Sequence, residues 1–124
     1  MIGDQILALI VEDDESLAFV LGDHLKSLGI DAHFARNGSE ALAKIEQNEF
    51  RFILMDIHMP VVNGYEATQA ILKKKPESII LGITSSIDKL ESARLLKFGA
   101  KGCIVKPIML PALRKALETL NIHT

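Results

Sequence analysis

Short apolar runs alternate with longer amphipathic stretches five times along this chain of 124 residues. The runs at 6–11, 32–35, 52–56, 79–84 and 103–105 predict strands, because each is brief, largely apolar and bounded by polar or turn-forming residues. The stretches between them predict helices at 15–28, 39–47, 64–74, 87–98 and 110–120. In the first helix, Leu17, Val20, Leu21, Leu25 and Leu28 make the inward stripe; in the second, Leu42 and Ile45 do. Stop signals fall where they should: Gly29 and Gly99 follow the first and fourth helices, and Pro76 lies beyond the third. Asn37 or Ser39 starts the second helix, Ser85 or Ser86 the fourth, and Pro111 sits in the tolerated first turn of the last.

Regular βα alternation predicts an α/β fold, with helices on both faces of a five-stranded parallel sheet. The near-continuous apolar strands fit a sheet buried on both sides. Right-handed crossovers leave few topologies, and the flavodoxin-like strand order 2-1-3-4-5 is the natural one for five strands. That order makes the first and third strands neighbours at the switch point, where open α/β sheets bind ligands beyond the strand C-termini. No linker, repeat or low-complexity segment interrupts the pattern, so residues 1–124 read as one domain.

Composition narrows the function. Apolar residues make up 48% of the chain, enough for a packed core, and the formal net charge of −2 offers no basic excess for nucleic acid. Cys103 is the single cysteine, so neither an internal disulfide nor a multi-cysteine zinc site can form. No apolar run reaches transmembrane length, and the first residues lack the basic and apolar regions of a signal peptide. The expected location is the cytoplasm, without membrane insertion.

The chemistry sits at the strand ends. Asp56 closes the run Phe52-Ile53-Leu54-Met55, and Glu12-Asp13-Asp14 follows the first strand. If those strands are parallel neighbours, several carboxylates converge at one sheet edge. Like charges so close raise one another's pKa, and a divalent cation is the simplest remedy; an oxygen-rich set suits Mg²⁺, with Mn²⁺ as the substitute. Thr84 closes the fourth strand with a hydroxyl, and Lys106 closes the fifth with an ammonium. Lys106 and one divalent cation together neutralise Glu12, Asp13 and Asp56. Such a set suits in-line phosphoryl transfer to a carboxylate. Asp14 is the better N-cap of the first helix, which leaves Glu12 and Asp13 for the metal.

These motifs resemble the receiver domains of two-component response regulators over essentially the whole chain. The resemblance rests on Val11-Glu12-Asp13-Asp14, on Asp56-Ile57-His58-Met59-Pro60 with Asn63-Gly64, on Ile83-Thr84-Ser85, and on Lys106-Pro107. It implies that Asp56 is the phosphoacceptor, that Asp13 binds Mg²⁺ directly and Glu12 through water, and that the His58 carbonyl adds an oxygen. It implies that Thr84 and Lys106 contact the phosphoryl group and that the Lys106–Pro107 bond is cis. The implied partners are a histidine kinase or a histidine phosphotransfer domain, and an unidentified downstream effector. The implied role is that of a regulatory phosphoacceptor, which catalyses only its own phosphorylation and dephosphorylation. The segments Met55–Pro60 and Tyr65–Thr68 read much like the receivers of hybrid histidine kinases; a stand-alone, chemotaxis-regulator-like protein is the other form.

Two positions depart from the family pattern. Cys103 stands where an aromatic switch residue is usual on the fifth strand, so output is expected to run through Thr84 and the loop after it. Asn63 replaces a common acidic residue before Gly64. His58 and Ser86, two positions after Asp56 and Thr84, are expected to tune phosphoryl lifetime from the site rim. The competing reading is a Mg²⁺-dependent phosphohydrolase with Asp56 as nucleophile. It lacks an acid at position 58 and a cap domain for substrate. A flavin carrier of the same fold would place phosphate against Glu12-Asp13-Asp14, which would repel it.

Overall fold

A computed structural model describes residues 5–59, 63–85 and 89–122. The elements in chain order are β1 (Ile6–Val11), α1 (Glu15–Ser27), β2 (Ile30–Ala35), α2 (Gly38–Gln47), β3 (Phe52–Asp56), α3 (Gly64–Lys74), β4 (Ile80–Thr84), α4 (Lys89–Lys97), β5 (Gly102–Val105) and α5 (Leu110–Thr119). The strands form one sheet in the order β2-β1-β3-β4-β5, and every pairing is parallel. Among the described residues no helix is long and apolar enough to cross a membrane.

Side-chain alternation along the strands divides the interior into two layers. Ala8, Ile10, Phe52, Leu54, Leu81, Ile83 and Ile104 face α1 and α5, where they meet Leu21, Leu25, Leu113 and Leu117. Leu9, Val11, Ile53, Met55 and Ile80 face the other way, against Ala41, Ile45, Ile71 and Leu95 of α2, α3 and α4. β3 is buried at all five positions, as a central strand covered on both faces should be.

Local signals account for the helix ends. Asp14 caps α1, its carboxylate accepting from the amides of Ser16 and Leu17. Asn37 caps α2 by accepting from the Glu40 amide. Asn63 caps α3: its carbonyl accepts from the Glu66 amide and its side-chain amide donates to Glu66 Oε1. Asn63 therefore has a structural task, which the family comparison alone did not suggest. Gly29 and Gly99 follow α1 and α4 with φ of 79° and 110°, the left-handed conformation that ends helices.

Several expected boundaries move. β2 begins at Ile30 rather than residue 32, because Ile30 stays in register with Ile6 although exposed Asp31 breaks the apolar run. α1, α2, β4, β5 and α5 each shift by one residue at one end. α4 is described from Lys89 to Lys97; residues 87 and 88, and the expected cap Ser86, lie outside the described residues. Val20 does not belong to the inward stripe of α1. It is 43% exposed beside Phe19, because Leu21 and Leu25 already fill the contact with the sheet. At the end of α3, Lys74 pairs with Glu46 of α2, and Lys75 with Glu49 just beyond that helix.

Gly64 fixes how α3 enters the fold. Its amide donates to the Ile57 carbonyl at 3.1 Å. A Cβ at that position would stand 2.3 Å from Ile57 Cα and 2.5 Å from the Asp56 carbonyl oxygen. Both obstacles are backbone, so relief requires moving β3 or α3. Gly64→Ala is expected to lose at least about 2 kcal/mol of stability in urea unfolding. A loss below about 0.5 kcal/mol would show that the α3 entry yields freely.

Candidate functional site

Strand register brings the predicted residues to one edge. Val11 pairs with Met55, so Glu12 and Asp56 emerge side by side from β1 and β3. Asp56 pairs with Ile83, and Thr84 with Val105. Thr84 therefore emerges one step beyond Asp56 on β4, and Lys106 one step beyond Thr84 on β5. Backbone bonds lock this staircase: Glu12 N–H to Ala35 O at 2.9 Å, Ile57 N–H to Ile83 O at 3.1 Å, and Lys106 N–H to Thr84 O at 2.7 Å. The Lys106–Pro107 bond is cis.

Alternation then decides which way each side chain points. Glu12, Asp56 and Lys106 continue the face of Ile10, Leu54 and Ile104. Thr84 continues the opposite face, that of Ile80, toward α4.

One oxygen from each of Glu12, Asp13 and Asp56 lies within 4.8 Å of the others. Glu12 and Asp56 are buried, whereas Asp13 is exposed. Asp56 Oδ1 accepts the His58 amide at 3.0 Å, and Asp56 Oδ2 stands 3.5 Å from Lys106 Nζ. Glu12 Oε2 accepts the Asp14 amide at 3.1 Å. Its other oxygen, Oε1, is buried without a hydrogen-bond partner, with Lys106 Nζ 3.8 Å away. Burial raises the Glu12 pKa to about 8; the neighbouring Asp56 carboxylate pushes the same way, against the Asp14 amide and Lys106. Three hard oxygen donors, one buried and lacking a donor of its own, fit a small divalent cation.

The structure adds a residue that sequence reasoning missed. Glu91, in the first turn of α4, accepts a hydrogen bond from the Thr84 hydroxyl. His58 Nε2 stands 3.2 Å from the same oxygen, Glu91 Oε1. The His58 side chain is 48% exposed, as a rim residue should be, and that of Glu91 only 18%. Strand alternation carried the missing signal, since Thr84 shares its face with residues packed under α4. Cys103 lies on that same face, half-buried, and its thiol pKa is raised chiefly by burial. Close by, Tyr65 is covered by the Arg94 guanidinium, 4.4 Å from its ring centroid.

Comparison with known proteins gives a consistent answer. A family model described as response regulator receiver domain matches residues 8–118. The sensor histidine kinase RcsC of Salmonella typhi is 32% identical over 114 residues, which span 92% of this chain and 12% of that protein. Hybrid signal transduction histidine kinase G of Dictyostelium discoideum is 37% identical over 119 residues, 92% of this chain and 4% of that protein. The chain thus spans a small fraction of the curated relatives it matches. Among solved structures, the Vibrio cholerae chemotaxis protein CheY4 superposes with a TM-score of 0.88 at 29% identity, covering 93% of this chain and 98% of that one. The receiver domain of Ssk1, crystallised with the histidine phosphotransfer signaling protein Ypd1 of Saccharomyces cerevisiae, gives 0.83 at 29% identity, covering 92% and 88%.

Proposed function

We propose, for a chain that belongs to the response regulator receiver domains, that it accepts a phosphoryl group on Asp56 from a phosphohistidine and passes the signal on. The single observation behind this reading is the pairing at Asp56. A buried carboxylate has one oxygen fixed by the His58 amide and the other facing Lys106 across 3.5 Å, with Glu12 and Asp13 beside it.

An oxygen of Asp56 attacks phosphorus, the phosphorus–nitrogen bond of the donor breaks, and its electron pair returns to the imidazole. The product is an acyl phosphate on Asp56. Lys106 screens the oxygens of the transferring group, and the Thr84 hydroxyl donates to one of them once it leaves Glu91. Glu12, Asp13, Asp56 and the His58 carbonyl would hold Mg²⁺, with Mn²⁺ as substitute; when bound, the metal withdraws charge from the transferring oxygens. The three carboxylates give −3, and Lys106 with one divalent cation gives +3. A later attack of water on phosphorus returns Asp56 to its free form. His58 borders that path, while Ser86, the other rim residue read from the sequence, lies outside the described residues. We assign residues 1–124 to one such unit, acting in the cytoplasm and binding no nucleic acid.

For partner contact, α1 and β2 offer an apolar patch next to Glu12. Phe19 is 74% exposed and Phe34 47%, and both line one groove that reaches Glu12. A histidine phosphotransfer domain seated there would bring its phosphohistidine to Asp56. Phe19→Ala is therefore expected to slow transfer from such a domain roughly tenfold or more, while uptake from a small phosphodonor stays unchanged. Equal slowing with both donors would place Phe19 in the fold rather than in docking. Phosphotransfer profiling against a panel of histidine kinases and phosphotransfer domains tests the reading as a whole. Rapid Mg²⁺-dependent uptake from one preferred donor is expected, and no uptake from any donor, large or small, would refute it.

A further inference from the structure

We propose that Glu91 is a positioning residue: it competes with a phosphoryl group on Asp56 for the Thr84 hydroxyl, and so sets how readily this domain switches. The inference rests on the reading of Asp56 as phosphoacceptor. It starts from a triangle of contacts. The Thr84 hydroxyl donates to Glu91 Oε1, and His58 Nε2 reaches the same oxygen at 3.2 Å. Thr84 is wholly buried. One α4 carboxylate thus gathers the last residue of β4 and the residue two places after Asp56.

A hydroxyl has a single proton and donates to one acceptor at a time. Thr84 cannot donate to Glu91 and to a phosphoryl oxygen together. Both acceptors are anionic, so two charge-assisted bonds of similar kind are exchanged, and neither wins by a wide margin. A ligand shifts a conformational equilibrium only by its differential contacts with the two states. Here the differential contact is the Thr84 bond. When it passes to the phosphoryl group, Glu91 retains its contact with His58, and α4 loses its bond to the Thr84 hydroxyl at the strand end.

This arrangement supplies a readout on α4 without an aromatic at Cys103. α4 packs tightly on the same strand, since a Cβ at Gly82 would stand 2.8 Å from Leu95 Cδ1. A change in how Glu91 is held therefore acts on a helix already seated against β4.

The test is beryllofluoride binding in the presence of Mg²⁺, measured by calorimetry. Glu91→Ala removes the competing acceptor and is expected to tighten binding roughly tenfold. Glu91→Gln keeps an acceptor oxygen without the charge, and is expected to tighten it less. In a Thr84→Val background the effect of Glu91→Ala should vanish, because no hydroxyl remains to be contested. Thermal melts confirm that each variant folds. Unchanged or weaker binding in both Glu91 variants would overturn the inference. So would tightening that persists in full without the Thr84 hydroxyl, which would assign the effect to charge alone. A parent protein that binds no beryllofluoride would instead overturn the reading of Asp56 itself.

Discussion

Asp56→Asn is expected to reduce phosphoryl uptake by at least roughly 10³-fold. The parent, given a small phosphodonor and Mg²⁺, should gain the mass of one phosphoryl group; the variant should gain none. The amide has nearly the shape of the carboxylate, so its carbonyl can still accept the His58 amide that now reaches Oδ1 at 3.0 Å. It lacks the ionised oxygen that attacks phosphorus. Among the described neighbours, Glu12 is 3% exposed, Asp14 is occupied in capping α1, and exposed Asp13 belongs to the proposed metal set. The substitution also removes one charge from a crowded anionic cluster, so the metal-free variant should melt no lower than the parent. Loss of uptake with retained folding separates chemistry from structure. A mass gain equal to the parent's would move the phosphoryl group to another side chain.

Stability should depend on pH in the direction opposite to that given by a salt-bridged carboxylate. Glu12 has its pKa raised from 4.5 to about 8, first by burial and then by Asp56. The folded chain therefore holds this proton more tightly than the unfolded chain does. The stabilisation is fully present below about pH 4.5 and is lost as pH rises through about 8. Each pH unit inside that window costs up to about 1.4 kcal/mol in metal-free protein. Mg²⁺ favours the ionised cluster, so it should restore the melting temperature more at pH 8 than at pH 5.5. Glu12→Gln should flatten the profile and blunt the rescue. Melting curves in chelator and in Mg²⁺, from pH 5 to 8.5, measure all three effects. A metal-free melting temperature that climbs steadily across that range would contradict the account of Glu12.

The layering of this fold was legible because its signals are local. Strand and helix periods, Gly29, Gly99 and Pro111 each act within a few residues, and the strand order follows from handedness. The register that sets Glu12 beside Asp56 follows from parallel pairing of β1 with β3. The direction of Thr84 was also readable in principle. Ile80, Gly82 and Thr84 share one face, and helices adjacent in the chain cover it. Its partner was not readable, because choosing Glu91 requires knowing which turn of α4 lies over the strand end. Val20 failed for a related reason: helical spacing defines a stripe, but its edges depend on how much sheet is there to cover. The apolar run from Ala32 understates β2, because an edge strand tolerates exposed Asp31 while its neighbours stay paired. The pairs made by Lys74 and Lys75 join segments far apart in sequence, so no local pattern announces them.

Cys103 shows the limit of family resemblance. The resemblance carried by the strand-end motifs breaks at this position, where an aromatic is usual. The structure puts a half-buried thiol there, on the α4 side of the sheet. Cys103→Tyr is expected to leave partner affinity as it is in the parent, since the contacts between Thr84, His58 and Glu91 do not involve the thiol.

The central claim is that Asp56 receives its phosphoryl group from a phosphohistidine. The most direct measurement mixes this chain with a radiolabelled histidine phosphotransfer domain in Mg²⁺. The acyl phosphate is then reduced with borohydride and the modified residue located by peptide mass mapping. The account predicts homoserine at position 56 alone, and none when chelator replaces Mg²⁺. Homoserine at any other position, or transfer to Asp56 that proceeds equally well in chelator, would contradict it.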